Sequence, residues 1–196
     1  VLERRAYKAA DACIGLAPGI VEGIAKHVRR DKVFMIPNGC DLEFFGGQQH
    51  DGWRPEDVGA EDFLAVFAGT HGPANGLDAV LDAAAHLKQL GRTDIKLLLI
   101  GEGKRKAALM QRAKSELLDN VVFHANVSKQ KIARLFHSAD VGLQILDNIP
   151  AFYDGTSPNK FFDYIAAGLP VLNNYPGWLA ALIQERQCGV AVPVAD

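Results

Sequence analysis

The sequence predicts an α/β fold, a mostly parallel sheet with helices on both faces. Three observations predict it. Short apolar runs recur along the chain, as expected of strands covered on both faces. Segments with helical spacing separate these runs almost throughout. Glycine-rich loops come after several of the runs, where backbone must turn sharply into the next helix.

The chain opens in a helical pattern through Leu2, Tyr7 and Ala10. Strands are expected at 12–16, 33–36, 63–68, 96–100, 121–123, 141–145, 170–173 and 190–192, with apolar character running on to Val194. Helices are expected at 18–30, 75–90, 104–118, 129–137, 158–167 and 177–186. The clearest is 75–90, where Leu77, Val80, Leu81, Ala84, Leu87 and Leu90 form one stripe. The polar, glycine-rich stretch 46–61 is the linker or surface-loop candidate, dividing residues 1–45 from a fuller α/β unit at 62–196. The start within a helical pattern and the stop after a strand lead us to expect part of a longer protein.

Composition narrows the class. The 196 residues suit one good-sized domain, and 48% hydrophobic with 22% charged is ordinary for a globular chain. A net charge of −2 gives no electrostatic surface for nucleic acid. Cys13, Cys40 and Cys188 match neither a metal spacing nor a disulfide framework, which favours a reducing, cytoplasmic setting. No apolar run approaches the ~18–20 residues that span a bilayer, and no signal-peptide pattern is present.

The most informative stretch is Gly155 to Val171. Ser157 is expected to cap a short helix, with Pro158 at its first position and Gly168 at its end. At about 100° per residue, Phe161, Phe162 and Ile165 share one face; Lys160, Asp163 and Tyr164 fall on the other. A lysine in the first turn opposes the helix dipole. The placement makes sense if a guest anion sits at that end, held by free backbone N–H groups and the ammonium. An ordinary amphipathic helix with a solvated polar face is the plainer alternative. Two further loops, Gly69-Thr70-His71-Gly72 running on to Gly76, and Gly101-Glu102-Gly103-Lys104, also lie after strands and feed helices. Together the three loops favour a phosphate-bearing ligand at the carboxyl ends of the strands. His71 has two readings, a donor to phosphate or carbonyl and a cap for local backbone. His124, His137, Trp53 and Trp178 read as structural, and Asp140 as turn chemistry. Lys106 stands where a dinucleotide fingerprint needs its third glycine; no P-loop string and no nucleophile elbow exist.

In this order the motifs resemble the family-four glycosyltransferases of the GT-B fold. The resemblance is carried by residues 10–19, by Val33-Phe34-Met35-Ile36-Pro37-Asn38-Gly39-Cys40-Asp41-Leu42-Glu43-Phe44-Phe45, by Leu99-Ile100-Gly101-Glu102-Gly103, by residues 121–128, and by Ser157-Pro158-Asn159-Lys160 with Phe162-Asp163-Tyr164. The last is similar to a subgroup making bacterial surface polysaccharides. The resemblance implies a Rossmann-like donor-binding lobe at 62–196, with residues 1–45 as a remnant of the N-terminal lobe and its hinge. It implies that Lys160 and the N–H groups around Thr156, Ser157 and Asn159 hold a donor diphosphate, and that Asp163 binds ribose hydroxyls. Asn126, Val127 and Ser128 would line the base pocket. Gly69, Thr70, His71, Gly72, Gly101 and Gly103 would lie by the diphosphate or base, and Gly177 by the sugar or phosphate. Two departures stand out. Gly155 occupies the position of the family's first motif glutamate, and Thr70 and Asn75 stand where most members have Arg and Lys.

The reaction implied by the resemblance is sugar transfer from a nucleoside diphosphate sugar to a lipid-linked or saccharide acceptor. UDP with an N-acetylhexosamine is the implied donor. No cofactor and no metal are expected, since no Asp-x-Asp motif occurs and the nucleotide sugar is a substrate. The acceptor would sit on the absent lobe, and the longer protein would associate peripherally with the membrane. For residues 1–30 two arrangements are open, displacement or burial in a dimer. The alternatives are a nucleotide-sugar epimerase of the same architecture and a non-catalytic sugar-phosphate-binding module.

Overall fold

Two six-residue apolar runs, β3 (Phe63–Ala68) and β4 (Ile95–Ile100), pair in parallel along their whole length and found the main sheet. Their inner residues Leu64, Val66, Leu98 and Leu99 are fully buried, as continuous apolar strands require. The computed structural model describes residues 2–47 and 51–192. β5 (Val121–His124), β6 (Val141–Gln144), β7 (Val171–Asn173) and β8 (Gly189–Ala191) complete the sheet in the order β5-β4-β3-β6-β7-β8, all parallel.

The order reflects handed crossovers. The chain steps outward from β3 through α4 (Asp78–Gln89) to β4 and through α5 (Lys106–Ser115) to β5. It returns through α6 (Lys129–Phe136) to β6, beside β3. It then steps outward the other way, through α7 (Pro150–Tyr153) and α8 (Asn159–Ala166) to β7 and through α9 (Trp178–Arg186) to β8. Right-handed crossovers running in opposite directions put their helices on opposite faces. One core accordingly joins α4 and α5 to Ala65, Phe67, Leu97, Leu99, Leu143 and Ile145. The other joins α6, α8 and α9 to Leu64, Val66, Leu98 and Val171. The strand order reverses between β3 and β6, and a crevice at such a switch point is where α/β sheets take ligands.

The first part of the chain makes its own small unit. α1 (Leu2–Ala9) precedes β1 (Cys13–Gly15), α2 (Pro18–Ala25) and β2 (Val33–Met35), and β1 and β2 pair in parallel. Cys13, Val21, Ile24 and Val33 form its core. Ile14 and Phe34, partners across the pair, are 57% and 52% exposed. A one-turn helix, α3 (Leu42–Phe45), capped by Asp41, then drives Phe45 against Phe136 of α6. Residues 48–50 of the expected linker, and Val194 of the expected last strand, lie outside the described residues. From Asp51 the linker is a strap. Arg54 donates to the carbonyls of Gly59, Asp62 and Ser138, and Val58 is buried.

The structure corrects several expectations. Helix 18–30 ends at Ala25, and helix 104–118 contracts to α5. Leu90 leaves the α4 stripe at the helix end and is 62% exposed. Asp140 acts over a long range, its carboxylate accepting the Leu64 N–H at 2.7 Å. Ser157 does not cap α8: Pro158 takes the cap position without a side-chain bond. Tyr164 is not on a polar face. It is fully buried over Gly142, where a Cβ would stand 2.6 Å from its ring, and its hydroxyl accepts the Ala68 N–H at 3.3 Å. Because α8 packs on the sheet with α3 and Phe136 of α6 against it, both Phe161 and Tyr164 are enclosed. Among the described residues no helix is long and apolar enough to cross a membrane.

Candidate functional site

Lys160 stands in the first turn of α8, beside the switch point between β3 and β6. Its ammonium donates to Asn75 Oδ1 at 3.2 Å and sits 4.3 Å from the centre of the Phe67 ring. Asn75 in turn donates to the Thr70 carbonyl at 2.7 Å. The chain after β3 and the start of α8 are thereby joined across the switch point. Burial holds the Lys160 pKa down to about 8. A cation with one neutral acceptor in a desolvated place is costly unless an anion joins it. The Asn159 and Lys160 N–H groups that open α8 also have no intrahelical acceptor, while the Phe161 N–H donates to the Pro158 carbonyl at 3.2 Å, and Ser157 does not serve them.

The glycine loops close around one another. Gly101 has φ +147°, and a Cβ there would stand 1.8 Å from the Gly69 carbonyl oxygen. At Gly103, φ +157°, a Cβ would meet the His71 carbonyl at 2.4 Å. Only glycine lets these two loops touch. The His71 backbone N–H donates to the Glu102 carbonyl at 2.8 Å, and its carbonyl accepts from the Arg105 N–H at 3.0 Å. Its ring is wholly buried between Phe67 and Phe123, and neither ring nitrogen has a hydrogen-bond partner. Burial first, and the Lys106 ammonium second, push its pKa down. The imidazole is therefore neutral at pH 7, and it points into the protein rather than toward solvent.

Beyond the switch point, Tyr175 and its neighbours support the turn before α8. Gln144 and Asn173, register partners on β6 and β7, are wholly buried. Gln144 donates to the Tyr175 hydroxyl at 3.2 Å. Burial pushes that hydroxyl up to about 12, against hydrogen bonds from Thr156 and Gln144. Trp178 Nε1 donates to the Thr156 carbonyl at 2.7 Å, and its backbone N–H donates to Asp154 at 3.0 Å. Gly177, φ +105°, lies against the Tyr153 carbonyl. The departure at Gly155 has a physical reason. A Cβ there would stand 2.3 Å from the Ala151 carbonyl.

The structure gathers Gly69, Thr70, His71, Gly72, Gly101 and Gly103 at the ends of β3 and β4, and sets Thr156, Ser157, Asn159 and Lys160 opposite them. Asp163 lies a turn further along α8, half-buried; burial raises its pKa while Lys129 opposes. Burial first, and the Asp163 charge second, raise the nearby Cys40 thiol. Asn126 and Val127 come after the edge strand β5, the first exposed and the second partly buried, and Ser128 caps α6. Sequence reasoning missed the contacts of Asn75, Gln144, Asn173 and Tyr175. Only the two buried polar residues within apolar runs, Gln144 and Asn173, gave a signal.

Fold and site define an α/β lobe whose switch point is furnished with a cation and helix-end donors. The chain belongs to a family of glycosyltransferases: residues 62–196 match the family model described as glycosyl transferases group 1. It is 30% identical over 151 residues to EpsF of Bacillus subtilis (strain 168), which carries a glycosyltransferase name. That alignment covers 74% of this chain and 37% of EpsF. Among solved structures it is similar to WaaG, a glycosyltransferase involved in lipopolysaccharide biosynthesis, with TM-score 0.69 and 20% identity over 92% of this chain. It is also similar to Anabaena Alr3699/HepE in complex with UDP and glucose, with TM-score 0.74 and 16% identity over 97% of this chain. The chain spans 48% and 52% of those two structures, about half of each.

Proposed function

We propose that residues 62–196 form the donor-binding lobe of a glycosyltransferase that takes a UDP-sugar and passes the sugar to a lipid-linked or saccharide acceptor. Residues 1–45 then belong to the hinge and the edge of the acceptor lobe, with 46–61 as the strap between. The observation that carries this is the desolvated Lys160 ammonium beside uncapped helix donors, in contact with neutral Asn75 and the Phe67 ring. The resemblance to a structure holding UDP supports the choice of nucleotide.

The chemistry needs a stabilised leaving group. Negative charge grows on the diphosphate as the glycosidic bond breaks. Lys160 and the N–H groups near Thr156, Ser157 and Asn159 supply fixed positive potential there, and losing one such donor costs about 2.7–4 kcal/mol in the transition state. Asp163 accepts from ribose hydroxyls. Asn126 and Val127 flank the base, Gly101 and Gly103 let it approach backbone, and Gly177 lies toward the sugar. These roles require no metal.

Calorimetry with UDP and with uridine tests the assignment. Lys160→Ala should weaken UDP at least tenfold and leave uridine within about twofold, a difference of about 1.4 kcal/mol confined to the diphosphate. Equal loss for both ligands would contradict it.

A further inference from the structure

We propose that Asn38 is a positioning residue for the donor diphosphate, acting through Ser157; this rests on the donor-site assignment just made. Asn38 lies beyond β2 and is 119 residues from Ser157 in sequence. Its backbone N–H donates to Ser157 Oγ at 2.9 Å, and its side-chain Nδ2 donates to the Ser157 carbonyl. Two bonds from one residue to one residue fix both place and orientation.

The consequence lies at the start of α8. A serine before a proline and a polar first turn is a natural helix cap, which sequence alone predicts. In the structure the hydroxyl is turned to Asn38, Ser157 is 9% exposed, and the cap position falls to Pro158 with no side-chain bond. Asn38 thereby keeps the protein's own hydroxyl away from the helix donors and leaves them for a guest anion. The Ser157 carbonyl lies ahead of the helix, and the Asn38 side chain gives it a donor. A second tie holds the same turn. The Gly19 N–H donates to the Asp154 carbonyl at 2.7 Å, and a Cβ at Gly19 would stand 2.7 Å from that oxygen. The unit before residue 45 is thus bonded directly to the turn proposed to hold the diphosphate, so its position and diphosphate affinity are coupled.

Calorimetry on the chain, with UDP and uridine as probes and Lys160→Ala as the reference, tests this. Asn38→Ala removes the Nδ2 bond to the Ser157 carbonyl and keeps the backbone bond to its hydroxyl; with the turn held by one bond in place of two, UDP should weaken several-fold and uridine less than twofold. Asn38→Ala with Ser157→Ala, which removes the backbone-to-hydroxyl bond as well, should weaken UDP further and still leave uridine within about twofold. Asn38→Ser, a milder change, is read the same way should the alanine variant melt at the assay temperature. Asn38→Ala binding UDP as the parent does, losing UDP and uridine alike, or losing no further UDP affinity on adding Ser157→Ala would each overturn the proposal. If Lys160→Ala abolishes the preference for UDP and Asn38→Ala keeps it, the positioning role alone falls. If the parent chain binds UDP no better than uridine, the donor site falls with it.

Discussion

Lys160 concentrates the electrostatics of the site in one titratable group. Its pKa, held at about 8 by burial, lies below the ordinary lysine value of 10.5. Below pH 8 the folded lysine is charged at a desolvation cost; between about 8 and 10.5 it sheds its proton before the unfolded chain does. Stability of the ligand-free chain therefore rises with pH across that window. Diphosphate binding runs the opposite way, because it needs the ammonium. UDP affinity should be flat below pH 8 and fall above it, toward about tenfold per pH unit. Calorimetry on either side of pH 8 checks this, with Lys160→Arg as control, since arginine keeps its charge. An unchanged affinity through that range would remove Lys160 from the diphosphate. His71 belongs to the same scale and has a different role. Buried, neutral and without a partner on its ring, it holds the loop through its backbone.

At the scale of elements, the glycines divide by what surrounds them. Gly101→Ala should cost about 3 kcal/mol or more, since φ +147° is strained for alanine and the Gly69 carbonyl occupies the methyl's place. Gly168→Ala, with φ +71° and open space around it, should cost only about 1 kcal/mol. Thermal unfolding at about 2–4 °C per kcal/mol separates them, and equal losses would mean the loop contact is not tight. Much at this scale was legible in the sequence. Strands expected at 63–68, 96–100 and 141–145 fall within a residue of β3, β4 and β6 at each end, because doubly covered strands are short apolar runs between breakers. One-turn helices were not legible: α3 and α7 are too short to show a period. The burial of Tyr164 was hidden as well. A helix packed on a sheet with other helices against it encloses more than one stripe, and only the glycine at 142 marks the ring's place. The bonds of Asn38 to Ser157 and of Lys160 to Asn75 join residues 119 and 85 apart, and no local spacing encodes them.

For the whole molecule, two places compete as a ligand site. An apolar groove of about 840 Å³ lies on the α4 face, lined by Leu87, Leu97, Leu143, Leu172 and Val192. It is a flank of the sheet, where an α/β fold buries apolar side chains. The switch point between β3 and β6 stands at the strand ends and carries the cation. If UDP binds there, saturation at about 100 times its dissociation constant should add about 2.7 kcal/mol, a melting shift of roughly 5–11 °C. Fluorimetric melting with UDP, GDP and ADP compared would also identify the base. The most direct measurement is a crystal structure of the chain soaked with UDP. The diphosphate should lie within about 2.7–3.2 Å of Lys160 Nζ and of the N–H groups that open α8, with Asn75 released. A diphosphate bound elsewhere while Lys160 stays on Asn75, or a helix end filled by the Ser157 hydroxyl, would contradict the account.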